Sequence, residues 1–223
     1  NAAEDGDLLL ADSLHPLGRY AWNDKHHLEL ISSAVHFGFR FSGKECKVFA
    51  YLTDPDAHSY LQYEVDGAYQ ERIRISGNSR QPIIITAAAG GVHSVWIYKA
   101  TEAHTGPIFI EKITGENVQA LKTPELPLIE FIGNSITCGA AADASETPCG
   151  TGVYHDQHNA YYAYGPRVAR ALNVNFILSS VSGYGIYRTW NTDGPNLPQV
   201  YEKTDFQVSG ERLWNFQTYS PQI

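Results

Sequence analysis

The sequence predicts two domains, an all-β jelly-roll sandwich over residues 1–123 and an α/β domain with a parallel sheet over residues 124–223. Three observations predict this. Apolar and polar residues alternate in many short runs before residue 120, the two-residue period of strands with one buried face. The alternation fades between Gly115 and Pro127, where Pro124 and Pro127 block either a helix or a central strand. Beyond that boundary an apolar run, a stretch of helical period and a second apolar run spell strand, helix, strand.

In the first domain, Val35, Phe37, Phe39 and Phe41 alternate with His36, Gly38, Arg40 and Ser42, and a second strand through Cys46, Val48, Ala50 and Leu52 is expected after Gly43. Tyr63 and Val65 lead into Asp66 and Gly67, a two-residue hairpin signal because both positions tolerate positive φ, and Ile73 and Ile75 continue beyond it. Further strands are expected at 83–85, 93–100 and 107–113. Many short strands in one domain are most economically a sandwich or jelly roll.

In the second domain, LIEFIG at 128–133 reads as a strand buried on both faces. Tyr161, Tyr164, Val168 and Leu172 recur at helical spacing, with Arg167 and Arg170 left for the wet face, before an apolar strand at 174–181. The carboxyl ends of such strands, where Ser135 and Gly183 fall, are where open α/β sheets place ligands.

Composition narrows the function. The chain of 223 residues is 43% hydrophobic, enough for a packed core, and its 16 basic against 24 acidic residues give a net charge of -8. That balance argues against a nucleic-acid partner, which needs clustered Lys and Arg. No apolar run approaches the roughly 20 residues that cross a bilayer, so a soluble chain is expected. A chain that opens at Asn1 and contains no Met is expected to be a processed, exported product, secreted or periplasmic. In such a compartment Cys138 and Cys149, which bracket a short loop, could close a disulfide while Cys46 stays buried; three unpaired thiols are the alternative.

Chemistry concentrates at two strand ends. FIGNSITCG at 131–139 puts Ser135 in a small-residue turn that opens a helix, with its hydroxyl at the sheet edge and its own N–H free. Such a serine can attack an acyl carbon and stabilise the resulting oxyanion, or it can merely cap the helix. SSVSGYGIYR at 179–188 carries Gly183 and Gly185, which let backbone approach a substrate closely or simply make a tight turn. Tyr184, Tyr187, Arg188 and Trp190 combine flat faces with polar tips, as carbohydrate subsites do; a packed aromatic cluster is the other reading. His155 and His158, the only histidines after Ser135, read as solvated loop residues without metal-ligand spacing, and His26 and His27 beside Trp22 as exposed or sugar-facing.

The string IEFIGNSITCG resembles block I of the SGNH (GDSL-type) hydrolases and VSGYG resembles their block II. NAYYAYGPRVARALN resembles the helix of carbohydrate esterase family 2, and FSGKECKVFAYL, YLQYEVDG, RIRISG, SVWIYKATEA and GPIFIEKI resemble that family's β-sandwich. The resemblance implies a flavodoxin-like SGNH domain and a secreted serine esterase that removes acetyl groups from polysaccharides such as xylan or glucomannan, with no metal or organic cofactor. Ser135 would be the nucleophile, and its N–H and that of Gly183, or alternatively Gly185, would bind the oxyanion. Asn134 stands where the family has Asp, orienting the turn through its side chain. The family's third oxyanion donor, an Asn in a G-x-N-D block after the strand beginning near residue 220, and its base, a His in a D-x-x-H block, are expected beyond Ile223 or on a second chain. Rival expectations are a carbohydrate-binding protein without turnover, and a lipase or thioesterase of the same superfamily.

Overall fold

A computed structural model describes residues 7–223. The first six positions of the expected sandwich, Asn1 among them, lie outside the described residues.

Among the described residues, nine strands make the first module: β1 (Leu8–Leu10), β2 (Tyr20–Trp22), β3 (Leu28–Leu30), β4 (His36–Tyr51), β5 (His58–Val65), β6 (Ala68–Ser76), β7 (Ile83–Thr86), β8 (Val92–Lys99) and β9 (Ile108–Leu121). They hydrogen-bond in the order β2-β3-β9-β4-β8-β5-β6, with β1 on β9 and β7 on β4. This is a β-sandwich-like body around one core that includes Leu28, Phe37, Phe39, Phe41, Val48, Ile85, Ile97 and Ile110.

The two strands expected around Gly43 are one. Strand β4 runs through, but its inward residues change parity, from Phe37, Phe39 and Phe41 to Cys46, Val48 and Ala50, and its register on β9 shifts between Ser42 and Cys46. An irregularity of odd length turns the other face inward, so alternation alone splits the strand in two. The same cause hides the end of β9. That strand continues to Leu121 rather than fading at Gly115, because Asn117 sits at φ 50 and resets the face that carries the buried Val118. The hairpin is where it was expected: Val65 pairs with Ala68 across Asp66 at φ 51 and Gly67 at φ 80.

After residues without regular structure at 122–127, β10 (Leu128–Gly133) pairs in parallel with β11 (Asn175–Ser180), from Leu128 opposite Asn175 to Gly133 opposite Ser180. Between them lie α1 (Ser135–Cys138) and α2 (Tyr164–Leu172), and α3 (Leu197–Tyr201) follows. Two expectations fail here. Strand β10 is only half-buried, with Ile132 exposed; its second edge meets residues 222–223, where Gln222 N–H donates to Leu128 O and Glu130 N–H to Ile223 O, each at 2.9 Å. Residues 222–223, where a strand was expected, thus lie alongside β10 in the same direction but form no regular strand among the described residues. Helix α2 presents the opposite face from the expected one: Tyr164, Val168 and Leu172 are exposed, while Gly165, Pro166 and Ala169 are buried. The small face wins because it lets the helix sit close to the sheet; a Cβ on Gly165 would lie 2.8 Å from the Phe131 ring. Arg170 also leaves water, stacking its guanidinium 3.6 Å from the Tyr161 ring centroid and donating to Tyr161 O.

Candidate active site

The pairing of β10 with β11 ends at Gly133 and Ser180, and Val181 N–H closes it on Gly133 O at 3.1 Å. Ser135 lies two residues past one end and Gly183 three past the other, so both sit at adjacent carboxyl ends of parallel strands. Asn134 caps the turn, its side-chain oxygen accepting from Ile136 N–H at 3.3 Å. Ser135 is half-buried, so its hydroxyl is not locked in the core. The serine's carbonyl accepts from Ala140 N–H.

The glycine loop is held by its own backbone. Gly183, at φ 81, accepts from Trp190 N–H at 2.9 Å, and Gly185 accepts from Leu197 N–H at 3.0 Å. The two glycines are needed for different reasons. An added Cβ would meet nothing within 4 Å at Gly183, where the left-handed backbone is the constraint, but would lie 2.3 Å from Arg188 O at Gly185. Asn134, Gly183, Tyr184, Gly185, Arg188 and Trp190 share the wall of one hollow of about 360 Å³. Tyr187 is 94% and Trp190 76% exposed, which removes the packed-cluster reading for these two, whereas Tyr184 packs against a small core with Val181, Leu197, Val200 and Phe206.

The downstream histidines are not solvated. His155 is half-buried and hydrogen-bonds His58 O, and its ring lies 4.6 Å from that of His58. His158 is 1% exposed, and burial pushes its pKa down to about 4 in spite of nearby Glu102. Neither bonds Ser135 among the described residues. His58, His155 and Asp156 bring three possible metal-ligand atoms within 4.8 Å of one another. Asp156 is already committed there, accepting from His58 Nε2, Tyr60 OH and Val153 N–H, and these bonds, against the effect of burial, hold its carboxyl well below the usual range.

The disulfide is absent. Cys46 and Cys138 are buried free thiols and Cys149 is an exposed one. Cys138 points inward, its Sγ donating to Ser180 Oγ at 3.1 Å, away from a loop that Cys149 shares with solvent. His27 bonds Tyr51 OH at 2.7 Å, and Trp22 is 40% exposed.

Sequence reasoning missed Glu102. It follows β8 and is 1% exposed, yet its carboxylate accepts from Ser182 N–H at 2.9 Å, Ser182 Oγ at 2.7 Å and Tyr154 OH at 2.8 Å. Burial alone would raise its pKa; the adjacent Cys138 thiol, the bonds from Ser182, the nearby His104 and the bond from Tyr154 reverse that and keep it below the ordinary value. The available signal was a Lys and a Glu, Lys99 and Glu102, closing an apolar strand, since buried charges require partners.

Residues 17–124 match the family model described as Carbohydrate esterase 2 N-terminal. The chain is 26% identical over 211 residues to an acetylxylan esterase / glucomannan deacetylase of Cellvibrio japonicus, covering 93% of this chain and 58% of that protein. It is similar to the structure of a family two carbohydrate esterase from Cellvibrio japonicus, with a TM-score of 0.77 and 25% identity over 96% of this chain and 64% of the other. A family two carbohydrate esterase from Clostridium thermocellum in complex with cellohexaose matches with a TM-score of 0.78 and 25% identity, over 96% and 63% of the two chains. The chain thus spans less than two thirds of the length of each.

Proposed function

From a chain whose residues 17–124 match the carbohydrate esterase 2 N-terminal family model, we propose a serine esterase that removes acetyl groups from carbohydrate hydroxyls, with Ser135 as nucleophile. The observation that carries this reading is the pairing of Gly133 with Ser180, which sets Ser135 and Gly183 on neighbouring strand ends while Asn134 and Gly183 line one hollow. A base takes the proton of Ser135 Oγ as the oxygen attacks the acetyl carbonyl. The carbonyl electrons move onto oxygen, where the N–H groups of Ser135 and Gly183, or of Gly185, donate to the developing charge; one such donor is worth about 3–4 kcal/mol of barrier. The oxyanion then collapses, the bond to the sugar oxygen breaks, and that oxygen leaves with the proton from the base. Water repeats the sequence on the acetyl-enzyme and releases acetate.

The exposed rings of Tyr187 and Trp190, with Arg188 between them in sequence, each present a flat face with a polar tip, the kind of group a pyranose stacks on. Acetylated xylan or glucomannan is the substrate class, and secretion follows from it because such polymers lie outside the cell. Among the described residues no helix is long and apolar enough to cross a membrane. The test is acetate release from acetylated xylan and hydrolysis of 4-nitrophenyl acetate by the intact protein. Ser135→Ala should remove at least about 1,000-fold of the rate with the fold unchanged. Retained turnover in that variant, or a preference for octanoyl over acetyl esters, would overturn the reading; cellohexaose binding with no hydrolysis by the unaltered protein would make it a binding protein.

A further inference from the structure

The hollow beside Ser135 is lined by Asn134 and by residues 183–185 and 188–191, all from the second module. The β-sandwich hydrogen-bonds the segment leading into it through Glu102, whose carboxylate holds Ser182. Resting on the esterase reading, we propose that Glu102 is a positioning residue that aims the Gly183 N–H by fixing Ser182.

The geometry argues this step by step. The Gly183 N–H belongs to the peptide plane that begins at Ser182, so its direction is set by the backbone torsions of Ser182. One carboxylate oxygen of Glu102 accepts from Ser182 N–H at 2.9 Å, and the other accepts from Ser182 Oγ at 2.7 Å. These two bonds fix the residue at its amide and its side chain together. The far side of the turn is closed by Tyr184 N–H on Val181 O at 3.2 Å, and the loop returns with Trp190 N–H on Gly183 O at 2.9 Å. Among the described residues the Gly183 N–H, like that of Gly185, has no backbone acceptor, and both glycines line the hollow.

Glu102 is itself immobile. Tyr154 OH, from the loop after α1, donates to its carboxylate at 2.8 Å, and Lys99 Nζ donates to its backbone oxygen at 2.7 Å. Burying a carboxylate is costly unless its lone pairs are satisfied, and a turn of this kind needs no charge to form. Bonds to a charged acceptor are shorter and stiffer than neutral ones, which is what an oxyanion donor requires of its support.

The test compares Glu102→Gln with Tyr161→Phe in the intact protein. The second variant removes a bond to Glu64 of 2.8 Å at the seam between the modules, away from the loop. Glu102→Gln should lower kcat for acetyl-ester hydrolysis about 10–100-fold with KM changed less than about twofold, the loss expected of one charge-assisted hydrogen-bond pair. In the same variant the Ser182 amide should exchange with solvent at least about 10-fold faster. Tyr161→Phe should lower the melting temperature without changing kcat. Unchanged kcat in Glu102→Gln, or a loss that only tracks its unfolded fraction, overturns the proposal. If Glu102→Gln does not fold, Ser182→Ala and Tyr154→Phe each remove one of the bonds and must lower kcat in the same sense. Amide exchange is read without turnover, so an inactive unaltered protein defeats the esterase reading while slow, Glu102-dependent exchange at Ser182 still decides whether the carboxylate holds the turn.

Discussion

His36 and His158 are both buried, and burial lowers each pKa to about 4; for His36 a bond to Ala34 O offsets part of the effect. An unfolded histidine titrates near 6.5, so between about pH 6.5 and 4 the unfolded chain holds protons that the folded chain refuses. Stability is complete above that window and falls as pH drops through it, by on the order of 3 kcal/mol for each group. Glu102 and Asp156, held below their ordinary values, add a loss at still lower pH. Buried Lys99, pushed down to about 7, acts at the other end: the unfolded amine keeps its proton to higher pH, so its contribution grows as pH rises above 7. Urea midpoints at pH 7.5, 6 and 4.5 should fall steadily, and Glu102 and Lys99 left unaltered in a His36→Phe variant should leave a shallower fall. The thiols give a second check. Only Cys149 should react with a thiol reagent in the native protein, and Cys46, raised by burial to about 12, and Cys138 should react after unfolding. The sequence spacing that suggested a bridge says nothing of direction, and the inward turn of Cys138 toward Ser180 becomes visible only once β10 and β11 are paired.

The elements that bear the site were legible where local chemistry decides them. The Asp66 and Gly67 hairpin, the apolar runs of β10 and β11, and the serine and glycine turns that follow them all announce themselves within a few residues. Legibility fails where two segments far apart choose the outcome. The apolar stripe of α2 is a better hydrophobic face by composition, yet Gly165 and Ala169 pack because Phe131 and Leu178 need a close neighbour. His155 and Asp156 are ordered by His58 and Tyr60, nearly 100 positions away, which no local reading reaches. The same distinction separates two glycine variants. Gly185→Ala drives a methyl against Arg188 O and should displace the loop, with loss of most acetyl-ester hydrolysis. Gly183→Ala meets no atom and costs only the strain of a left-handed backbone, about 1 kcal/mol. Melting temperatures and kcat of the two variants, measured side by side, check the order.

At the scale of the whole molecule the modules are tied by a cation. Arg19, in the first module, is 1% exposed and sits among the rings of Tyr201, Phe206, Trp214 and Phe216 at 4.4 to 5.3 Å, with Nη1 donating to Lys203 O at 2.7 Å. Glu29 holds Arg212 through two bonds of 2.7 and 3.0 Å beside it. Arg19→Ala should therefore cost about 3 kcal/mol or more, through lost ring contacts and the cavity left, and lower the melting temperature by roughly 6–12 °C. None of these four rings carried a signal in the sequence, because they follow the last apolar strand in a stretch with no periodicity. Strands β4 and β9 raise a different matter. Each serves neighbours on both sides of its bend, β4 lying against β8 with its first half and β7 with its second. The edge strands β2 and β6 pair with neither of them, but β1, β3, β7 and β8 all lose a partner strand's support once these two part. Deuterium should accordingly enter the amides that join β4 to β9 at one common rate, as a knot gives way at its centre only after its outer loops have slackened.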